Sequence, residues 1–117
     1  VIAVTDEDDC SVPGNDFVIG QNQNLCDHPD YPRFDAEQAI AALDAARGER
    51  RRWSFTAIAG NTTCTSPLGD AQEAVRLREF TTAAGDSGRF SDLCLAEFNA
   101  PLAAALTNAE FACRSAP

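Results

Sequence analysis

Val1-Ile2-Ala3-Val4-Thr5 is an apolar, largely β-branched run, and four acidic residues come directly after it: Asp6-Glu7-Asp8-Asp9. A short, continuous apolar run is typical of a strand that is covered on both faces of a sheet. A cluster of carboxylates cannot continue such a buried strand. The stretch therefore predicts a buried first strand that ends in an acidic turn.

A helix and a second strand are predicted further along the chain. Asp35 is a favourable N-cap residue, and Gln38 stands at the third helical position, where it can bond back to the cap. Arg47-Gly48 is expected to end this helix with a cation and a glycine. The apolar residues 53–59 then predict a second strand, which Gly60 ends.

The second half of the chain repeats this alternation. Residues 62–69 read as a loop, and Asp70 is expected to cap a second helix that ends at Gly85. A short third strand is predicted over 88–93, and Asn99 is expected to cap the last helix. The apolar positions of the last helix recur at helical spacing and predict its buried stripe: Leu102, Ala105, Leu106 and Ala109.

The order of these elements predicts an α/β fold with three strands alternating with three helices. Strands separated by helices of this length are joined by right-handed crossovers and therefore run parallel in a doubly wound sheet. The loops that come after the strands then share one edge of the sheet. Residues 1–117 are treated as a single, partial domain with a long, cysteine-bracketed loop over 10–34.

Composition excludes several classes of protein. The chain has 117 residues, of which 44% are hydrophobic, and no apolar run approaches the length needed to cross a membrane. Nine basic residues stand against 18 acidic ones, for a net charge of −9. A polyanion would be repelled over most of such a surface, so no nucleic-acid partner is expected.

Five cysteines indicate an oxidising, extracytoplasmic compartment. No C-x-x-C pair is present, which disfavours a zinc or thioredoxin-type site. Cys10, Cys64 and Cys94 each come after a predicted strand, and Cys26 lies in the long loop. Four cysteines allow three pairings, and the predicted pairs are Cys10–Cys26 and Cys64–Cys94. Cys113, at the end of the last helix, is expected to lack a partner in this chain.

Asp6 is the candidate metal ligand, because ligands of open α/β sheets bind beyond the carboxyl ends of the strands. A carboxylate there suits a hard divalent cation; the alternative is that Asp6 caps the next segment of the chain. Glu7, Asp8 and Asp9 are better explained as a solvated turn. The run Arg50-Arg51-Arg52 favours a solubilising turn over an anion-binding patch, and the sole histidine, His28, is expected to be exposed.

The series of motifs resembles the second half of a von Willebrand factor type A (VWA) domain. The resemblance rests on Val1-Ile2-Ala3-Val4-Thr5-Asp6, an apolar strand ending in Thr-Asp, and on Phe55-Thr56-Ala57-Ile58-Ala59-Gly60 after the next helix. The cysteine-bearing insertion and Ser91-Asp92-Leu93-Cys94 are similar to a bacterial secreted or lipoprotein branch of that family. The resemblance covers nearly the whole chain.

The resemblance implies a metal-ion-dependent adhesion site, usually occupied by Mg²⁺, or by Ca²⁺. Asp6 matches one family ligand, the Asp after the fourth strand of the family's fold. The family's Asp-x-Ser-x-Ser loop and its Thr would lie upstream of Val1, and Glu7 replaces a Gly that often stands after the Asp. No cation is expected to bind this chain tightly, since one or two carboxylates are too few for about six oxygen ligands.

The expected function is therefore that of a non-enzymatic binding or adhesion module, periplasmic, cell-surface or secreted, whose partner is a protein. The alternative is a metal-dependent α/β hydrolase or phosphoryl-transfer enzyme that uses Asp6. The chain has no Met and opens directly on a strand, so Val1 is expected to be an internal position of a longer protein. The first strand would then present an unpaired apolar edge, which predicts self-association.

Overall fold

A computed structural model describes residues 1–9 and 35–114 of the chain. The predictions that concern residues 10–34, among them the Cys10–Cys26 pair and the exposure of His28, lie outside these ranges. The elements in chain order are β1 (Ile2–Val4), α1 (Ala36–Arg47), β2 (Phe55–Ala59), β3 (Cys64–Ser66), β4 (Gly69–Ala71), α2 (Val75–Ala83), β5 (Gly88–Asp92) and α3 (Asn99–Arg114).

The main sheet has three parallel strands in the order β1-β2-β5. Ala3 of β1 is level with Ala57 of β2, and Ala57 is level with Phe90 of β5. The predicted α/β class and the common polarity of the three strands are thus confirmed. As a result, the segments that come after β1, β2 and β5 meet at one edge, here called the carboxyl rim.

Residues 64–71 form a small β-hairpin where the sequence predicts no strand. β3 and β4 pair antiparallel, with Cys64 level with Ala71 and Ser66 level with Gly69. The hydroxyl of Ser66 accepts a hydrogen bond from the backbone N–H of Leu68 and closes the turn. Gly69 has φ of 122°, a conformation that favours glycine. The strands are only three residues long, so their pattern in the sequence is too short to predict them.

The two faces of β2 pack against different helices. Ala57 and Ala59 are fully buried. They pack against Ala74, which directly precedes α2, and against Leu77 within α2. Thr56 and Ile58 alternate with them and so point to the opposite face, where α3 packs against β2 and β5. The sheet is therefore sandwiched at its centre between helices.

A second cluster lies between α1, α2 and the entry to β2. Ile40, Trp53 and Ala84 are buried there, with Phe55 and Phe80 against them. The rings of Phe55 and Phe80 meet edge to face at 5.0 Å between centroids. This cluster fixes α1 and α2 side by side on one face of the sheet.

The predicted ends of α1 are confirmed, and so is the end of α2 at Gly85, which has φ of 60°. The predicted N-caps of α2 and α3 are wrong. The Asp35 carboxylate accepts from the backbone N–H of Gln38, and the Gln38 side chain bonds back to the cap. Asp70 instead lies in β4, and α2 begins five residues later at Val75. At α3, Glu97 rather than Asn99 accepts from the first backbone N–H groups.

The buried stripe of α3 also differs from the prediction. Ala105 is buried as expected, but Leu102 and Leu106 are 40% and 61% exposed. Asn108 is buried in their place, because its side-chain amide donates to the carbonyl oxygen of Ser87 at 3.3 Å. The face of α3 that carries Asn108 is thus buried, and the face that carries Leu102 and Leu106 is exposed.

The strand β1 is less covered than its apolar sequence predicts. Ile2 and Val4 are 42% and 54% exposed. They are level with Thr56 and Ile58 of β2, but α3 lies over β2 and β5 and leaves β1 at the edge uncovered. The expectation of a strand buried on both faces is therefore wrong for the described part of the chain.

Candidate functional site

The carboxyl rim gathers the end of β1, the hairpin and the segment after β5. Asp6 comes after β1, and its backbone carbonyl accepts from the N–H of Gln72 at 2.8 Å. The carbonyl of Gly60, which comes after β2, accepts from the N–H of Ala74 at 2.8 Å. These two bonds hold the chain between β4 and α2 across the ends of β1 and β2.

An open pocket of about 580 Å³ lies on this rim. It is lined by Asp6, Glu7, Thr63, Cys64, Thr65, Asp70, Ala71 and Gln72. Asp6 and Glu7 are exposed at its mouth. Asp70 is held by Thr65, whose hydroxyl donates to its carboxylate at 2.7 Å. The pocket is therefore acidic, with two threonine hydroxyls and one side-chain amide in its lining.

The acidic turn divides into two exposed and two half-buried carboxylates. Asp8 accepts from the backbone N–H groups of Arg76 at 2.9 Å and Leu77 at 3.1 Å. These are N–H groups of the first turn of α2, which have no partner within the helix. Asp8 therefore caps α2 from 68 residues away in the chain, and Ala74, which precedes the helix, makes no side-chain cap.

Asp9 strengthens the same connection. Its carboxylate lies 3.5 Å from the guanidinium of Arg76, which also donates to the Asp9 backbone carbonyl. Asp8 and Asp9 thus join the end of β1 to α2, and the interpretation of these two residues as a solvated turn is wrong. Sequence reasoning missed this role because nothing local to α2 indicates a cap so distant in the chain.

Gly60 is required by the close approach of this segment. A Cβ built on Gly60 would lie 2.2 Å from the backbone oxygen of Gln72. Any larger residue would push the 72–74 segment away from β2.

Arg78 connects the same region. Its guanidinium donates to the backbone carbonyl of Asn61 at 2.8 Å and to the Glu73 carboxylate at 2.7 Å. The rim is therefore rigidly connected beneath the pocket.

A disulfide joins the two sides of the rim. Cys64 of β3 is bonded to Cys94, which lies beyond β5, with their Cα atoms 6.0 Å apart. This is the pairing predicted for these two residues from the parallel strands. Asp92 supports it, since its carboxylate accepts from the backbone N–H groups of Asn61 and Cys94. Cys113, an exposed free thiol near the end of α3, lies on an element that runs away from this rim.

Potential metal-ligating side chains of the described residues do not cluster. Within residues 1–9 and 35–114, no three side chains of His, Cys, Asp or Glu lie close enough together to hold an ion. Asp8 is committed to α2, and Asp70 is committed to Thr65. Asp6, Glu7 and Asp70 are the exposed carboxylates among the described residues that line the pocket, and a Mg²⁺ or Ca²⁺ ion needs roughly six oxygen ligands.

The opposite end of the sheet carries the Arg50-Arg51-Arg52 run as a 3₁₀ turn. Arg50 donates to Asp44 at 2.9 Å, and the indole N–H of Trp53 donates to the same carboxylate at 2.7 Å. Desolvation raises the pKa of Asp44, but the hydrogen bonds from Trp53 and Arg50 and the charge of Arg50 outweigh it and hold the pKa below 3.8. Arg51 and Arg52 remain exposed.

Comparisons with known proteins add no relative. No family model, curated protein or solved structure matches this chain. In the described part of the chain, no helix is both long and apolar enough to span a bilayer.

Proposed function

We propose that the chain is the carboxyl-terminal half of an extracytoplasmic VWA-like module that binds a protein partner through its carboxyl rim. The observation that carries the proposal is the position of Asp6. It stands directly after the Thr5 end of an edge strand of a parallel sheet, exposed at the mouth of an open pocket. This is where open α/β sheets bind ligands.

The order of the strands supports the same proposal. The strands of the main sheet lie side by side in the order in which they occur along the chain, β1-β2-β5, and β1 forms an uncovered edge of the described sheet. A further parallel strand beside β1 would bring its own carboxyl end next to Asp6. In the proposed intact domain, that strand supplies the remaining oxygen ligands of a Mg²⁺ site, and a partner's carboxylate completes it.

Binding is favoured over hydrolysis or phosphoryl transfer by the composition of the pocket. The described lining consists of carboxylates, hydroxyls and an amide, with a cysteine that is already in a disulfide. A nucleophilic or acid–base mechanism at Asp6 needs a second group of matched pKa in reach. No histidine or arginine stands among the described residues that line this pocket.

The test is calorimetric titration of Mg²⁺ into two proteins: this chain, and the chain extended by the hundred or so residues that precede it in its gene. We expect no tight, stoichiometric binding to the chain alone and one Mg²⁺ per extended protein. Asp6→Ala should abolish that binding, while Glu7→Ala in the same turn should leave it unchanged.

Two results contradict the proposal. One is tight, stoichiometric Mg²⁺ binding by the chain alone, which would mean that its own carboxylates suffice. The other is the absence of an Asp-x-Ser-x-Ser sequence after an apolar strand upstream, together with no binding by the extended protein.

A further inference from the structure

Most arginines of the described residues are concentrated at one end of the sheet. The carboxyl rim carries the acidic turn, Asp70, Glu73 and Asp92, and the arginines near it, Arg76 and Arg78, are engaged in bonds to the rim. The other described arginines lie toward the amino end of the strands: Arg47, Arg50, Arg51, Arg52, Arg89 and Arg114. A chain of net charge −9 thus has a basic end.

The fold brings these arginines together from separate elements. The Ser87 hydroxyl donates to the backbone carbonyl of Arg50 at 2.6 Å, which joins the turn before β5 to the turn before β2. Arg89 is the second residue of β5 and is level with Thr56 of β2. A Cβ built on Gly48 would lie 3.7 Å from the Nη1 atom of Arg52, which places that guanidinium near the end of α1, where Arg47 is the last residue.

Structural roles account for some of these arginines but not for all. Arg50 is bonded to Asp44, and Arg114 pairs with Glu110 at 3.5 Å. Arg47 ends α1, where a cation offsets the helix dipole. Arg51, Arg52 and Arg89 are exposed, and their side chains make no hydrogen bond or ion pair with any other residue that the structure describes. These three exposed guanidinium groups outnumber the two exposed carboxylates at this end that make no ion pair with another described residue, Glu49 and Asp86, so a further anion is attracted there.

We propose that this basic end, centred on Arg51, Arg52 and Arg89, docks an acidic segment of a partner protein. Guanidinium groups bind carboxylates through two parallel hydrogen bonds, which adds geometric specificity to charge attraction. The exposed carboxylates of Glu49 and Asp86 lie at the same basic end of the molecule. They would repel a continuous polyanion such as a membrane surface or a nucleic acid, whereas a short peptide can place its own carboxylates between them.

The experiment is a titration of the ¹⁵N-labelled chain at low salt with a short peptide in which glutamates alternate with serines, so that its carboxylates are spaced, monitored by chemical shifts. We expect the largest shifts at Arg51, Arg52 and Arg89 and an affinity that falls with added salt. The variant Arg51→Gln/Arg52→Gln should weaken binding about fivefold, since each exposed charge pair contributes modestly to affinity.

A matched variant separates local docking from net charge. Thr63→Glu/Gln72→Glu changes the net charge by the same amount, but at the carboxyl rim. It should leave peptide binding nearly unchanged. Equal weakening by both variants, no shift at millimolar peptide, or stronger binding to phosphatidylglycerol vesicles than to the peptide would each overturn the proposal. Thermal melts of both variants should match the unmodified chain, because all four side chains are exposed.

Discussion

At the residue scale, single side chains connect parts of the molecule that are distant in the chain. Asp8 and Asp9 join β1 to α2, and Asp44 joins α1 to Trp53 and Arg50. These residues are indistinguishable in the sequence from ordinary surface acids. Their importance comes from the donors that folding brings to them, so each can be tested by removing one carboxylate.

Asp8→Ala should lower the free energy of unfolding by about 1–2 kcal/mol, the usual cost of losing an N-cap. The physical reason is that the N–H groups of Arg76 and Leu77 lose their acceptor at the start of α2. Urea unfolding monitored by circular dichroism measures the change. Glu7→Ala, at an exposed neighbour in the same turn, is the control and should stay within about 0.5 kcal/mol. Equal effects of the two substitutions on the free energy of unfolding would show that Asp8 does not cap α2.

Asp44 should make stability depend on pH in the acid range. Its pKa in the folded protein lies below the ordinary value of 3.8. Its ionised form therefore stabilises the fold above that value, and this contribution is lost as the pH falls through the folded pKa. Asp44→Asn should flatten the decline in melting temperature below about pH 4. An acid limb identical in both proteins would show that other carboxylates are responsible.

At the element scale, the apolar periods predicted strands and helices well, and the ends of elements less well. The capping box at Asp35 and Gln38 is local and could be read directly. Asp70 had the right residue type at the right spacing to cap α2, yet it pairs in β4 with Thr65. Asp70 forms part of the hairpin rather than capping α2, because the Cys64–Cys94 disulfide and the Asp6–Gln72 backbone bond hold residues 64–72 along the rim. Asp8 caps α2 instead.

The Cys64–Cys94 disulfide should contribute about 3–4 kcal/mol to stability, given the 30 residues that separate the two cysteines. Its loss in the Cys64→Ser/Cys94→Ser variant frees the hairpin from the segment after β5. Urea unfolding without reductant measures the difference. Cys113→Ser should change nothing, since that thiol is exposed and free. A stable double variant would mean that the hairpin is held mainly by its backbone bonds.

At the scale of the whole molecule, large apolar side chains on β1 and α3 remain exposed among the described residues. Ile2 and Val4 are exposed on β1, and Leu102 and Leu106 are exposed on α3. Buried Asn108 and the position of α3 over β2 and β5 leave both sets outside the core. An open edge strand with exposed apolar side chains is a template for pairing with another chain.

The chain by itself should therefore self-associate as its concentration rises, which sedimentation velocity can measure. Ile2→Lys/Val4→Lys should shift the chain toward monomer, because charge on an edge strand opposes strand pairing. Leu68→Lys/Leu95→Lys, at two other exposed apolar positions, is the control and should have little effect. A monomer at every concentration, or equal effects of both variants, would contradict association through β1.

The sequence by itself determined the α/β class, the parallel direction of the strands, the cap of α1 and the edge at which Asp6 and two of the cysteines meet. These features follow from local periodicity and from the handedness of crossovers. Both can be inferred without knowing which distant residues are in contact. Tertiary structure alone decided that Asp8 caps α2, that Gly60 admits the 72–74 segment, that Asn108 is buried and that the arginines gather at one end. Each of these depends on a partner far away in the chain, and residue type and spacing carry no information about which partner folding brings near.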